Sequence, residues 1–237
     1  MQTALSAGFI LAIVLWGVIS PDTMGPMFET ALATVTRNFG WFYLWVVLGM
    51  VVFVAFLAFS RYGNLKLGGD DDEPEFALGS WFSMLFAAGM GIGLVFFGVA
   101  EPISHYIEAP PGTVSNTPEA AGAAMRYTFF HWGIHPWAVY SAVALAIAFF
   151  QYRRGGVALV STVTDALPWP IVKHMGGFFN GLAVVATAFG VAASLGVGAL
   201  QINNGLNTVF GLQVSEPAQI GIIVLATIMF LASAVSG

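Results

Sequence analysis

The sequence predicts an all-α membrane protein with about six transmembrane helices. Two observations predict this class. The chain of 237 residues is 58% hydrophobic and only 8% charged, whereas about a quarter of the residues in a soluble domain are charged. In addition, six apolar windows approach the roughly 20 residues that a helix needs to cross the hydrocarbon. These windows are residues 4–20, 41–59, 79–100, 127–150, 178–200 and 218–235.

Composition also excludes several classes of function. The chain has no cysteine, which excludes disulfides, thiolate metal sites and cysteine nucleophiles. Its net charge is −5, and no basic run is long enough to indicate nucleic-acid binding. No Arg or Lys precedes the first window, which favours a membrane span over a cleaved signal peptide. We therefore expect a lipid bilayer as partner, no nucleic acid and no cofactor.

The connections between the windows predict the orientation of the chain. Cytoplasmic loops of membrane proteins carry an excess of Lys and Arg. Five basic residues lie in the second and fourth connections and two in the first and third, namely Arg61, Lys66, Arg153, Arg154 and Lys173 against Arg37 and Arg126. The second and fourth connections should therefore be cytoplasmic. Both ends of the chain are then cytoplasmic, in a multi-pass protein of the plasma membrane.

The third window contains three glycines at alternate positions, Gly89, Gly91 and Gly93. One reading is close helix packing through small residues, although Gly91 lies on the opposite face from the other two. The other is a helix that unwinds near the bilayer midplane, where irregular backbone survives only beside a protein-enclosed cavity. Many secondary transporters bind their substrate and coupling cation at such a break. The residues alone leave both readings open.

The fourth window carries aromatic rings on one side. On a regular helix, Trp132, Trp137 and Tyr140 fall within an arc of about 140°. Such rings suit a quaternary ammonium, which has no N–H to donate and is attracted to ring faces. The alternative is an interfacial aromatic belt. Pro136 removes one helical hydrogen bond and should kink the span beside the rings.

Other polar residues in the spans also have two readings. His131 and His135 are four residues apart, the spacing of a metal-ligating pair, so a membrane-embedded metalloprotein using this pair, with His105, is one alternative function. Packing histidines are the other reading. The hydroxyls of Thr187 and Ser194 in the fifth window either bond back to a carbonyl one turn earlier or ligate sodium. A third hypothesis is a structural membrane subunit whose glycines and aromatics only pack.

Three segments together resemble the betaine/carnitine/choline transporter family. They read SWFSMLFAAGMGIGLVFFGVAEPISHY, TFFHWGIHPWAVYSAVALAIAFFQYRRG and FGVAASLGVGALQINNGL. The resemblance implies twelve spans, in which two extra helices precede an inverted-repeat core of the LeuT-like type. Residues 1–62 would then be the two extra helices, and residues 63–237 the first-repeat part of the core. The implied function is secondary transport of a quaternary-ammonium osmolyte driven by sodium or protons, and not an enzymatic activity.

The resemblance also implies the site residues. The family's substrate-binding positions fall on Trp132, Trp137, Tyr140, Met90, Gly91 and Gly93. Its ligands for one sodium site fall on the carbonyls of Ala87 and Met90, and one hydroxyl ligand of a second sodium site falls on Thr187. Choline-type members tend to have an aspartate in place of Gly93, so a betaine-like zwitterion is the expected solute. Val191 stands where sodium-coupled members place a second hydroxyl, which argues against a second sodium site.

The resemblance covers only the first half of the family's fold. We therefore expect this chain to be a fragment of a longer protein or one chain of a split carrier, and not to transport alone. The missing carboxyl-terminal half would supply the rest of the aromatic wall and of each cation site. Trimers are usual among the characterised members, so a homotrimer is expected of the full-length protein.

Overall fold

The computed structural model describes residues 2–89 and 91–236, and within them the chain is helical, with no strand. Sequence had predicted the all-α class, which is confirmed. The helices are α1 Gln2–Ile19, α2 Pro21–Phe59, α3 Leu78–Gly89, α4 Ile92–Ile107, α5 Pro118–Trp132, α6 Ile134–Ala148, α7 Val160–Asp165, α8 Pro170–His174, α9 Gly176–Phe210 and α10 Glu216–Ser236. A 3₁₀ turn, Arg61–Asn64, follows α2, and a π-helical turn, Phe149–Arg153, follows α6.

Four helical stretches are long and apolar enough to cross a membrane. They are Pro21–Phe59, Pro118–Arg153, Gly176–Phe210 and Glu216–Val235. The first predicted window lies in the shorter apolar α1. The third is divided between α3 and α4, so neither half reaches the length of a span. The windows at 41–59, 127–150, 178–200 and 218–235 all fall within the four long stretches.

The connection predicted after the first span is wrong, because α2 begins directly after Ser20 and has 39 residues. At 1.5 Å per residue it is about 58 Å long, nearly twice the ~30 Å of the hydrocarbon. Pro21 occupies the first helical position, where its missing N–H leaves no gap in the ladder. A side-chain hydrogen bond joins α1 to α2 across Ser20, with Trp16 Nε1 donating to Thr23 Oγ1 at 2.9 Å.

The described residues bury small side chains and expose large ones. The buried hydrophobic residues are all alanines, namely Ala120, Ala123, Ala124, Ala138, Ala142 and Ala199. Large apolar side chains point outward along every long helix, and Phe59 is 92% exposed. Lipid provides no hydrophobic drive between helices, so membrane helices associate through small residues that let backbones approach. This distribution fits a chain whose solvent is lipid.

The chain divides into two compact units. The first comprises Met1–Pro74 and Phe129–Ala186, and in it α6 packs against α2, with α7 beside both α6 and α8. The second comprises Glu75–Thr128 and Thr187–Gly237 and contains α3, α4, α10 and most of α5 and α9. The predicted boundary between residues 62 and 63 concerns the family's repeats and stays a prediction.

Within the second unit, Asn203 joins α9 to α10. Its side chain is 1% exposed, and its Oδ1 accepts from the Ser215 N–H at 3.2 Å while its Nδ2 donates to the Gln213 carbonyl at 3.4 Å. Gly211 ends α9 with a φ of +70° and an N–H bond to the Asn207 carbonyl at 2.8 Å. Glycine adopts this left-handed conformation without the steric penalty of other residues.

Within the first unit, Arg153 fastens the loop that precedes α3. Its Nη1 donates to the Gly68 carbonyl at 2.8 Å and to Asp70 Oδ1 at 2.6 Å. Lys66 adds a bond from Nζ to the Asp70 carbonyl at 2.9 Å. The hydrogen bond and the charge of Arg153 lower the pKa of the Asp70 carboxyl, and this carboxyl is fully exposed.

The first prediction concerns this exposed ion pair. Arg153→Gln should raise the pKa of Asp70 toward its ordinary value, because both the hydrogen bond and the neighbouring charge are lost. A carboxyl whose pKa is lowered by folding contributes stability above its unfolded pKa of about 3.9, and that stability is lost as pH falls through the folded pKa. NMR titration of a ¹³C-labelled Asp70 side chain measures the shift.

Arg154→Gln is the matched control, since the Arg154 guanidinium lies 5.6 Å from the Phe149 ring centroid and not on the loop. It should leave the titration of Asp70 as it is in the parent chain. Equal curves for the parent and Arg153→Gln would show that Arg153 does not hold the loop in solution.

Candidate functional site

The third predicted span is interrupted where its glycines lie. Helix α3 ends at Gly89, and α4 begins at Ile92 after an extended Gly91 with φ −62° and ψ 172°. The helical hydrogen bonds of α4 begin at Gly91, whose carbonyl accepts from the N–H groups of Leu94 and Val95 at 3.0 and 3.3 Å. Met90 lies outside the described residues. Of the two readings of these glycines, the structure therefore has the interrupted helix.

Close packing does not account for Gly91 or Gly93. A Cβ added at either position meets nothing within 4 Å, and both glycines are half-buried. The backbone of Gly91 is extended, a conformation that any residue can adopt. Both positions therefore have room for a side chain, as do glycines in continuous helices such as Gly40 and Gly49.

The fourth span is also interrupted, at Gly133. Helix α5 ends at Trp132 and α6 begins at Ile134, with Gly133 at φ −87° and ψ −138°. A kink beside the aromatic rings was predicted at Pro136. The interruption agrees with that prediction, because Pro136 has no N–H to donate to the carbonyl four residues earlier, that of Trp132, at which α5 ends.

Two of the three predicted aromatic residues lie together on α6. The rings of Trp137 and Tyr140 have centroids 6.0 Å apart and planes inclined by 45°. Both remain accessible, with Trp137 47% and Tyr140 71% exposed. They form a pair of adjoining ring faces on an apolar helix.

The interruption at Gly133 bears on two expectations that assumed a continuous helix. Trp137 and Tyr140 share α6, whereas Trp132 ends α5 and its place beside the other two rings stays a prediction. Likewise, His131 is in α5 and His135 in α6, so their spacing of four no longer places them on one face. Both imidazoles instead contact Phe130, with ring centroids 5.8 Å away for His131 and 4.4 Å away for His135.

The proposed sodium ligands belong to two helices of the second unit. Ala87 is the third residue from the end of α3, among the carbonyls that a helix leaves unpaired. Thr187 lies in α9 with an exposed side chain, and Val191 follows one turn later. Met90, the remaining ligand, is outside the described residues. The structure leaves these assignments as predictions.

One polar pair escaped the sequence reasoning, which treated its members separately. Glu101 Oε1 and His105 Nε2 lie 3.3 Å apart on α4, with side chains 14% and 25% exposed. The His105 ring also lies 5.6 Å from that of Tyr127. The signal was present in the sequence as an acid and a histidine spaced i,i+4, the spacing at which helical side chains meet.

Comparison with known proteins gives a consistent family. The model of the betaine/carnitine/choline family of transporters matches residues 2–237. The chain is 52% identical over 227 residues to the glycine betaine transporter OpuD of Bacillus subtilis (strain 168), covering 95% of this chain and 44% of that protein. It is 40% identical over 236 residues to the betaine/ectoine transporter LcoP of Corynebacterium glutamicum, covering 98% and 38%.

A third relative is the ectoine/hydroxyectoine transporter of Virgibacillus pantothenticus, 41% identical over 237 residues, with 98% of this chain and 46% of that protein covered. The chain thus spans less than half the length of these curated relatives.

The second prediction concerns the open space at Gly91. Gly91→Ala should change the free energy of unfolding by no more than about 0.5 kcal/mol, because its backbone is extended and its Cβ meets nothing within 4 Å. Gly63→Ala is the contrast, since a Cβ there would lie 2.5 Å from the Ala58 carbonyl oxygen. Thermal unfolding of the purified chain in detergent, followed by circular dichroism, measures both. Equal destabilisation by the two substitutions would contradict the open surroundings of Gly91.

Proposed function

The chain belongs to the betaine/carnitine/choline transporter family, and on that premise we propose that it is the amino-terminal part of a secondary carrier for a betaine-like quaternary-ammonium osmolyte. The observation that carries the proposal is the accessible pair of rings on α6, with centroids 6.0 Å apart. The names of the relatives support the same substrate class, since they include glycine betaine and betaine/ectoine transporters.

The ring pair suits the cationic end of such a solute. A trimethylammonium group has no N–H to donate, so conventional hydrogen bonds cannot hold it. Electron-rich ring faces attract it by about 0.5–2 kcal/mol per contact, and more so where water is excluded. Trp137 and Tyr140 provide two such faces, and Trp132 is the third ring that we assign to the same group.

The break in the third span suits the anionic end. The first N–H groups of α4 lack helical partners and carry the positive end of the helix dipole, which favours a carboxylate. Met90, Gly91 and Gly93 are the residues that we assign to this contact. Gly93 adds no negative charge that would repel the carboxylate, so a zwitterion fits better than a plain cation.

The coupling ion is sodium or a proton. For sodium, we assign the carbonyls of Ala87 and Met90 to one site and the hydroxyl of Thr187 to a second, because oxygen atoms suit a hard cation. The position one turn after Thr187 is Val191, whose side chain has no oxygen. The second site therefore lacks a further hydroxyl ligand on this helix, which argues against a two-sodium stoichiometry.

The proposed carrier extends beyond this chain, since the relatives named above are more than twice its length. We propose six spans here, in which α3 and α4 together make the third and α1 makes the first. Both ends of the chain face the cytoplasm of a plasma-membrane protein, and the chain forms two extra helices followed by the first part of an inverted-repeat core. The remaining half completes both sites, and the complete carrier is a homotrimer.

The third prediction tests the ring pair. In proteoliposomes that contain the carrier of which this chain is part, labelled betaine should accumulate when an inward sodium or proton gradient is imposed. Trp137→Ala should raise the KM for betaine by about tenfold, which corresponds to ~1.4 kcal/mol, because one ring face is lost. Uptake at a range of betaine concentrations measures this change.

Trp169→Ala is the control, because Trp169 is 61% exposed and precedes the short α8 outside the proposed site. Its KM should equal that of the parent carrier. Parent-like kinetics in Trp137→Ala would remove this ring from the site, and a carrier that does not concentrate betaine under either gradient would refute the proposed function.

A further inference from the structure

The interruption between α5 and α6 separates one proposed ring from the other two. Trp132 is the last residue of α5, and Trp137 and Tyr140 lie on α6. The geometry at Gly133 therefore sets how the α6 rings are presented relative to Trp132. No resemblance or predicted motif had assigned a role to Gly133 itself.

Glycine is the only residue type that fits at position 133. A Cβ there would lie 2.4 Å from the Phe129 carbonyl oxygen and 3.6 Å from the Phe129 carbonyl carbon. Both atoms belong to the backbone of the preceding turn, so no side-chain rotation relieves the clash. Any other residue would require the backbone from Phe129 to Gly133 to shift. This differs from Gly91, where a Cβ meets nothing within 4 Å.

A ring contact also joins the two sides of the interruption at Gly133. The ring of Phe130 on α5 and that of His135 on α6 have centroids 4.4 Å apart and planes inclined by 50°. Aromatic pairs at such distances contribute about 0.5–1.5 kcal/mol beyond the area they bury. Pro136, directly after His135, keeps the first turn of α6 from joining the ladder of α5.

We propose that Gly133 and the Phe130–His135 contact form a rigid elbow that positions Trp137 and Tyr140 for the quaternary ammonium. None of the three elbow residues need touch the solute, so they are positioning residues. The role in solute binding rests on the proposed function, whereas the elbow itself is a property of this chain.

The decisive transport measurement is Gly133→Ala compared with Gly49→Ala. Gly49 lies in α2, and a Cβ there meets nothing within 4 Å. In the complete carrier, Gly133→Ala should raise the KM for betaine about tenfold while the maximal rate stays within about twofold, because the rings move but the translocation machinery is untouched. Gly49→Ala should keep both parent values. An unchanged KM in Gly133→Ala would overturn the role of the elbow.

The ring contact is tested without a backbone clash. His135→Phe keeps an aromatic ring against Phe130, whereas His135→Leu keeps the bulk and removes the ring pair. The phenylalanine variant should retain the parent KM, and the leucine variant should raise it. If Gly133→Ala does not fold, this pair decides the question, and equal KM values for the two variants would overturn the contribution of the ring contact.

A readout independent of transport separates the elbow from the proposed function. The chain has seven tryptophans, and incorporation of 5-fluorotryptophan gives each a ¹⁹F resonance that a Trp→Phe substitution assigns. In the chain without betaine, Gly133→Ala and His135→Leu should displace the resonances of Trp132 and Trp137 and leave that of Trp169 in place. Unmoved Trp132 and Trp137 resonances would refute the elbow even in a carrier that transports betaine. Displaced resonances in a carrier that does not transport betaine would uphold the elbow and refute the function.

Discussion

In hydrocarbon, a backbone N–H or C=O without a partner costs several kcal/mol, so a membrane-spanning chain keeps its peptide groups bonded within helices. The long helices of this chain obey that constraint over 35 residues in α9 and 39 in α2. They depart from it between Gly89 and Ile92 and at Gly133. Irregular backbone within a bilayer needs a protein-enclosed surrounding, and most of the residues proposed to bind the solute lie beside these two departures.

The two interruptions have different physical causes. Around Gly91 the backbone is extended and a Cβ would meet open space, so the glycine there leaves room beside the chain. At Gly133 a Cβ would lie 2.4 Å from the Phe129 carbonyl oxygen, so only glycine fits there.

The helices themselves are held by close approach more than by interdigitating side chains. The buried apolar residues are alanines, and a few polar contacts fix the corners within each unit. In the first unit, Asn180 caps α7 through Ser161, with its Oδ1 accepting from the Ser161 N–H at 2.9 Å. Ser6 of α1 donates to the Gly181 carbonyl of α9 at 3.4 Å. Large apolar side chains are thereby left to face lipid, which explains why composition alone identified the solvent.

Much of the fold class and of the proposed site could be predicted from local sequence patterns, because hydropathy, glycine spacing and motifs are properties of neighbouring residues. The sequence by itself predicted the all-α membrane class, the family and the ring types of the proposed site, and it left two readings of the glycines near Gly91. It misjudged the length of α2, whose apolar window begins at residue 41, because the helix begins at Pro21 and proline is tolerated at the first helical position. It did not single out Gly133, the residue between α5 and α6. Only the tertiary structure decided those points, together with the Arg153 bond to Asp70 across 83 residues and the burial of Asn203. Each depends on which atoms meet once the chain is folded, and a local pattern does not specify that.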